Sequence, residues 1–138
     1  RLGNSNSTLW GGWMVEAPDH RVFFSGDSGY GPHFKEIGQR FGPIDIALLD
    51  TGQYNFRWQS IHMLPKQSLQ AAQDLDARIM MPVHWGAFTL SLHAWDEPAE
   101  QTTLLAQQQG QAIVIPRIGE LMQLLNEPIA RDAWWQKY

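Results

Sequence analysis

The chain has 138 residues, of which 43% are hydrophobic, and this length and composition suit one packed domain. A formal net charge of −4 and the lack of any Lys/Arg run argue against a nucleic-acid-binding protein, which usually carries a clustered basic face. Because the sequence contains no cysteine, disulfides and thiolate metal ligands are excluded, and a bound metal would depend on His, Asp or Glu. Without a signal-peptide pattern or an apolar run of the roughly 20 residues that span a bilayer, we expect a soluble chain.

The first predicted unit is a hairpin. Residues 9–17 are rich in Trp and Val, which favours a strand, and Pro18-Asp19-His20 is typical of a turn. A second apolar run at residues 22–24 predicts the returning strand. The histidine of this turn is expected to be exposed and without a function.

A helix and a buried strand are predicted after the hairpin. Apolar side chains recur at helical spacing at Phe34, Ile37 and Phe41, and a Gly-Pro pair at 42–43 ends this helix. The nearly continuous apolar run at residues 44–49 predicts a strand that is buried on both faces.

The second half of the chain repeats the strand and helix pattern. A long loop at residues 50–64 precedes a helix that begins at Pro65, and residues 79–83 predict another buried strand. Asp96 is a candidate N-cap of a third helix, with Gly110 just beyond its end. Two short strands close the unit, at residues 112–115 and 120–125. This alternation of strands and helices is typical of the α/β class.

Three polar residues come just after predicted strands: Asp27, Asp50 and His84. In α/β sheets the ligand crevice lies beyond the carboxyl ends of the strands, so these side chains are expected to converge. A carboxylate and an imidazole at such a place are ligands that zinc or iron accepts. Two protein ligands are too few for a catalytic zinc, which usually has three and a water, so the sequence predicts an incomplete metal site.

Each candidate also has an ordinary structural interpretation. Asp27 is a candidate helix cap, and His84 can be a half-buried histidine that bonds to backbone. His62 lies in a loop just ahead of a helix, where an imidazole can meet an anionic group. For His93 a structural role and a role in the site both remain open. The terminal Trp134-Trp135 pair predicts either a tail packed on the domain or an anchor for a partner or an interface.

Four sequence segments, together with LWGGW at residues 9–13, carry a resemblance to a known family: FFSGDSGY at 23–30, GQRFGPID at 38–45, IHMLP at 61–65 and VHWGAF at 83–88. In this order and without large gaps, they resemble the N-acylphosphatidylethanolamine-hydrolysing phospholipase D family of the metallo-β-lactamase superfamily. Bacterial members of that family include proteins often labelled outer membrane protein. The likeness runs over residues 9–97.

The resemblance implies an αββα sandwich that binds two zinc ions, or one zinc and one iron. Residues 1–138 would form its C-terminal half, an α/β unit with a mixed sheet and helices on one face. Asp27 matches the catalytic aspartate that bridges both metals, and His84 matches a histidine on the second metal. His62 matches a histidine near the substrate phosphate, where it would act in catalysis and in substrate binding, and Gln59 and His93 are further candidates for substrate contact.

Two departures from the family pattern stand out. The family's His-x-His-x-Asp-His metal cluster is absent from this chain, so the resemblance implies that the missing N-terminal half of the fold supplies it and that these residues alone are inactive. Asp50 stands where the family usually has an apolar residue, and Pro65-Lys66-Gln67 where it has Pro-Glu-Glu. These two differences bear on the substrate more than on the fold.

The implied reaction is hydrolysis of a phosphodiester in an N-acylphosphatidylethanolamine-like phospholipid by a metal-bound hydroxide. The alternatives are a lactonase or another hydrolase of the same fold, and a non-catalytic binding module. Expected partners are the missing N-terminal half of the fold, a second copy of the chain and a membrane surface, but no nucleic acid. The compartment is not predicted, and the whole protein is a candidate for association with a membrane.

Overall fold

The computed structural model describes residues 10–123 and 132–138. It has the predicted α/β architecture, with one sheet, three α-helices and a short terminal 3-10 helix in this part of the chain. The strands are β1 Trp13–Glu16, β2 Arg21–Phe24, β3 Ile44–Asp50, β4 Ala77–Val83 and β5 Ala112–Ile113. The helices are α1 His33–Phe41, α2 Pro65–Asp74 and α3 Glu97–Gln109, and the 3-10 helix is Trp134–Lys137.

The sheet is mixed, and its strands lie side by side in chain order. β1 and β2 form the predicted antiparallel hairpin, while β2, β3, β4 and β5 are parallel. Parallel neighbours need a crossover, and α1, α2 and α3 supply the three crossovers. As a result β2, β3 and β4 all end at the same edge of the sheet.

The helices cover one face of the sheet, as predicted. Phe34 from α1, Leu69 from α2 and Ala106 from α3 pack with inward residues of the strands, including Ala47 and Met80. Phe34, Leu69 and Met80 are completely buried, so this layer is the main core of the molecule. Its apolar side chains remove the largest share of surface from water and provide most of the stabilisation.

The opposite face of the sheet is also apolar, and it carries no helix in the described residues. Ile46, Ile79 and Val114 form a smaller buried cluster there. Toward the β1–β2 hairpin the same face becomes exposed, because Trp13 and its cross-strand partner Phe24 are 71% and 41% accessible. A large exposed apolar area of this kind usually marks a surface that contacts another element.

Two sequence predictions are corrected by the structure. Residues 120–123 form no strand, because the Arg117 N–H donates to the carboxylate of Glu120 and the Glu120 N–H donates back to the Arg117 carbonyl, closing a turn. Residues 124 and 125 of that prediction lie outside the described residues, as does residue 9 of the first predicted strand. Asp96 occupies the N-cap position of α3, but its side chain makes no capping hydrogen bond.

The tail packs on the domain. Trp135 is 4% exposed and its indole N–H donates to Glu100 of α3, while the Trp134 indole donates to the carbonyl of Ile115. Both rings also contact Trp85, which follows His84. The first of the two interpretations of the tail is therefore the one the structure favours. Among the helices described, none combines the length and the apolar composition required to span a bilayer.

Candidate metal centre

The candidate site forms where three adjacent parallel strands end. Asp27 follows β2, Asp50 is the last residue of β3, and His84 follows β4. Asp50 pairs in register with Val83, so that His84 emerges beside it. Together with His62 these residues form a group in which one potential ligand atom of each lies within 4.8 Å of the others. The convergence expected from the strand-end pattern is confirmed.

Asp50 is the buried centre of this group. Its Oδ2 atom accepts a hydrogen bond from the Ser28 N–H at 3.1 Å and lies 2.8 Å from Nδ1 of His62. Its Oδ1 atom lies 3.2 Å from Nδ1 of His84. Burial raises the pKa of the Asp50 carboxyl, and the hydrogen bonds from His62 and Ser28 partly offset that rise.

Asp27 and His84 face each other across the open part of the site. The Asp27 Oδ1 atom is 3.8 Å from Nε2 of His84, and both side chains are accessible to solvent. The His84 backbone is left-handed, with φ +68°, a conformation that non-glycine residues adopt at a cost and that is common at functional sites.

The loop between β3 and α2 supplies His62 and Gln59. The His62 ring lies 4.9 Å from the ring of His84, between centroids, and its side chain is mostly buried. The carbonyl oxygen of Gln59 approaches Gly29 so closely that a Cβ at Gly29 would lie 2.6 Å from it. This contact brings Gln59 near the loop that carries Asp27, so both predicted residues of the β3–α2 loop lie beside the site.

His93 lies outside this group. Its ring stacks on Tyr54, with 4.4 Å between centroids, and its Nδ1 atom lies 2.8 Å from the carbonyl of Ala94. Its Nε2 atom is buried without a hydrogen-bond partner among the described residues. The ring is packed in the manner of a structural residue. The predicted substrate contact of His93 stays a prediction.

Sequence reasoning missed Gln53, which holds the segment after His84 in place. Its amide donates to the Phe88 carbonyl, and its Oε1 atom accepts hydrogen bonds from the Leu90 and Ser91 N–H groups. Nothing in the local pattern marks a single glutamine for this task, because its partners lie 35 to 38 residues away. The sequence did single out Asp50 as a polar residue at the end of an apolar strand, but it predicted no catalytic or metal-binding role for this residue.

The donor set is compatible with a transition metal. Asp27 supplies a carboxylate oxygen and His84 an imidazole nitrogen, which are ligands of zinc and iron. Two ligands on one tetrahedral zinc lie about 3.4 Å apart, given bonds of roughly 2.0–2.2 Å. The observed 3.8 Å between Asp27 Oδ1 and His84 Nε2 is close to that value. The residues present therefore fit part of a metal site.

Comparison with known proteins identifies the family. Residues 1–85 match the family described as "Beta-lactamase superfamily domain". The chain is 36% identical to an uncharacterized protein of Mycobacterium tuberculosis over 139 aligned positions, which cover 99% of the chain and 37% of that protein. It is 44% identical to outer membrane protein RomA of Klebsiella pneumoniae over 103 positions, 70% of the chain and 78% of that protein.

An N-acyl-phosphatidylethanolamine-hydrolyzing phospholipase D of Caenorhabditis elegans is 35% identical over 92 positions, covering 64% of the chain and 26% of that protein. The chain thus spans little more than a third of the mycobacterial relative and about a quarter of the nematode one.

Solved structures show the same fold. An isothiocyanate hydrolase from Delia radicum gut bacteria superposes with a TM-score of 0.63 at 22% identity, covering 81% of this chain and 42% of that one. A Thermotoga maritima protein assigned to the metallo-β-lactamase superfamily superposes with a TM-score of 0.55 at 20% identity, covering 75% of this chain and 56% of that one. The family match covers more than half of the residues of this chain. The chain therefore belongs to the β-lactamase superfamily and has the metallo-β-lactamase fold.

Proposed function

We propose that this chain is part of a metal-dependent hydrolase. The observation that carries the proposal is the apposition of Asp27 and His84, whose ligand atoms face each other at 3.8 Å at the carboxyl end of the sheet. Asp27 is 60% exposed in its side chain and His84 32%, so a substrate can reach this pair from solvent. Fold and site agree, because ligands bind at this edge in α/β sheets.

Asp27 and His84 would hold the metal through a carboxylate oxygen and Nε2. A bound divalent metal supplies a Lewis acid that polarises the substrate and lowers the pKa of water. The chain's own residues orient the reactants around it. His62 can contact the substrate through Nε2, since among the described residues only its Nδ1 atom is engaged. Gln59 lies in the same loop, where a polar side chain can bind a substrate oxygen.

The proposed substrate is a phosphodiester of the N-acylphosphatidylethanolamine type, cleaved in the manner of a phospholipase D. This finer proposal rests on the similarity to the nematode enzyme, which spans 64% of the chain. Zinc is the proposed metal, with iron as the alternative at one position, because the site offers only oxygen and nitrogen ligands. A phosphate group suits a metal site, since a bound metal neutralises its negative charge.

The remaining metal ligands would come from an N-terminal half of the fold. The exposed apolar strip at Trp13 and Phe24 lies on the sheet face opposite the helices, where a second sheet would pack. In the absence of that half, residues 1–138 are proposed to be inactive and to self-associate through this strip. The whole protein is proposed to act at a membrane surface, where its phospholipid substrate resides.

The test is elemental analysis and turnover of the full-length protein. We expect about two transition-metal ions per chain, loss of hydrolysis on chelation and recovery with Zn²⁺. Asp27→Ala and His84→Ala should each lower metal content and reduce turnover by more than 100-fold. His20→Ala is the matched control, because His20 lies near Asp45 at the opposite end of the sheet.

Three outcomes distinguish the alternatives. Hydrolysis of N-acylphosphatidylethanolamine in mixed vesicles supports the phospholipase D proposal. Turnover of a lactone without turnover of the phospholipid overturns it and retains the metal-dependent hydrolase. A metal-free protein with no hydrolytic activity contradicts both and leaves a binding module.

A further inference from the structure

The carboxylate of Asp50 contacts all three parts of the candidate site. Its Oδ2 atom accepts a hydrogen bond from the N–H of Ser28, which is the residue after Asp27, and the same atom contacts Nδ1 of His62. Its Oδ1 atom contacts Nδ1 of His84. The side chain of Asp50 is completely buried, so water does not compete for these contacts.

The backbone of Asp50 is fixed as firmly as its side chain. The Ser25 hydroxyl oxygen accepts a hydrogen bond from the Asp50 N–H at 2.9 Å, and the Ser68 hydroxyl donates to the Asp50 carbonyl at 2.7 Å. Both serines are buried; Ser25 directly follows β2, and Ser68 lies in the first turn of α2. The carboxylate therefore stands at a defined position relative to β2, β3 and α2.

We propose that Asp50 is a positioning residue that holds both imidazoles in one tautomer. A carboxylate accepts hydrogen bonds, so each Nδ1 atom in contact with it carries a proton, and each Nε2 atom keeps its lone pair. His84 then presents the lone pair of its Nε2 atom toward Asp27. The Nε2 lone pair of His62 also remains available for an interaction in the site. Asp50 acts through the two histidines, because its completely buried carboxylate already takes three contacts, two on Oδ2 and one on Oδ1. The metal part of this inference rests on the proposed function, whereas the tautomer part does not.

The substitution Asp50→Asn tests this proposal because the two carboxylate oxygens have different partners: Oδ2 contacts the Ser28 N–H and His62, and Oδ1 contacts His84. The backbone N–H of Ser28 is a fixed donor, so the amide oxygen must occupy the place of Oδ2, where it also serves His62. The amide NH₂ then faces Nδ1 of His84 and donates to it. His84 is forced to carry its proton on Nε2, the atom that would bind the metal.

The experiment uses the full-length protein with ¹⁵N-labelled histidine, and long-range proton–nitrogen correlation spectra report the tautomers with and without Zn²⁺. Signals are assigned with His62→Ala and His84→Ala. In the unsubstituted protein we expect Nδ1–H tautomers for both residues. In Asp50→Asn we expect His84 to switch to Nε2–H while His62 does not, and Zn²⁺ affinity, measured by chelator competition, to fall about 10- to 100-fold.

Asp45→Asn is the matched control. Asp45 lies on the same strand and is also hydrogen-bonded, to the Arg21 N–H and to Arg78, but it stands at the opposite end of the sheet from the site. We expect this substitution to leave both tautomers unchanged and the Zn²⁺ affinity within about twofold. An equal loss of affinity in both variants would mean that the effect is one of general stability, and would overturn the proposal.

Two further results would overturn it: Nε2–H tautomers for both histidines in the unsubstituted protein, or unchanged His84 tautomer and affinity in Asp50→Asn. If that variant does not fold, the tautomers of the unsubstituted protein decide the question by themselves. The tautomers can behave as expected in a protein that binds no metal. In that event the positioning role of Asp50 stands and the proposed hydrolase fails.

Discussion

The side-chain amide of Gln53 donates a hydrogen bond to the carbonyl oxygen of Phe88, with 2.7 Å between the two atoms. The Oε1 atom of the same glutamine accepts from the N–H groups of Leu90 and Ser91, each at 3.0 Å. Gln53 follows β3 and its three partners follow β4, so one side chain joins the two segments that leave Asp50 and His84. The position of the loop after His84 thus depends on a residue far away in sequence.

Substituting Gln53 should loosen that loop. We expect Gln53→Ala to destabilise the fold by about 1–3 kcal/mol, because it leaves the N–H groups of Leu90 and of the buried Ser91 without an acceptor. Hydrogen exchange at the amides of Leu90 and Ser91 should accelerate, as measured by NMR. Gln108→Ala, on an exposed part of α3, is the control and should change neither quantity. Unchanged exchange in Gln53→Ala would contradict the role of this residue.

The lack of a side chain at Gly52 lets the β3–α2 loop approach His84. A Cβ at this position would lie 1.9 Å from the carbonyl oxygen of His84, which is backbone and cannot swing away. We expect Gly52→Ala to displace His84, to destabilise the fold by about 1–3 kcal/mol and to lower Zn²⁺ affinity in the full-length protein. Gly11→Ala is the control, since no heavy atom of residues 10–123 or 132–138 lies within 4 Å of its added Cβ. Equal melting temperatures for both variants would contradict this expectation.

Phe34 is the largest fully buried side chain of α1. It packs edge-on against Phe23, with 6.3 Å between ring centroids, and parallel to Tyr30 at 6.1 Å. Phe34→Ala should lower the free energy of unfolding by about 3–5 kcal/mol, through lost burial and the cavity left behind. Urea denaturation measures the loss. Phe56→Ala, at an 81% exposed side chain, should change it by less than about 0.5 kcal/mol.

Asp45 should give the fold a pH-dependent stabilisation. The hydrogen bond from the Arg21 backbone N–H, together with Arg78, holds the pKa of the Asp45 carboxyl below its usual range. A carboxyl with a lower pKa in the folded state stabilises the fold above its unfolded pKa, and this stabilisation is lost as the pH falls through the folded-state value. Asp45→Asn should therefore be less stable than the unsubstituted protein at pH 7, by no more than about 1 kcal/mol because the contacts are partly exposed. The difference should vanish on acidification in urea titrations, and a difference independent of pH would contradict the assignment.

Local pattern was enough to predict most of the regular elements. The apolar runs within β3 and β4 have strand length and are typical of buried parallel strands, and the helical spacing of Phe34 and Ile37 indicated α1. The predicted strand at residues 120–125 was wrong over its described part, because the hydrogen bonds between Arg117 and Glu120 close a turn instead. A strand also needs a neighbour to pair with, and sequence pattern cannot supply that information.

The sequence by itself determined the α/β class, the cysteine-free ligand chemistry and the positions of Asp27, Asp50 and His84 after strands, since each depends on composition or short-range periodicity. Only the tertiary structure decided that β2, β3 and β4 are neighbours, that Asp50 contacts both imidazoles, and that Gln53 holds the loop beside the site. These contacts join residues 12 to 38 positions apart. Their geometry follows from how the helices pack the strands against one another, and no local pattern of residues contains it.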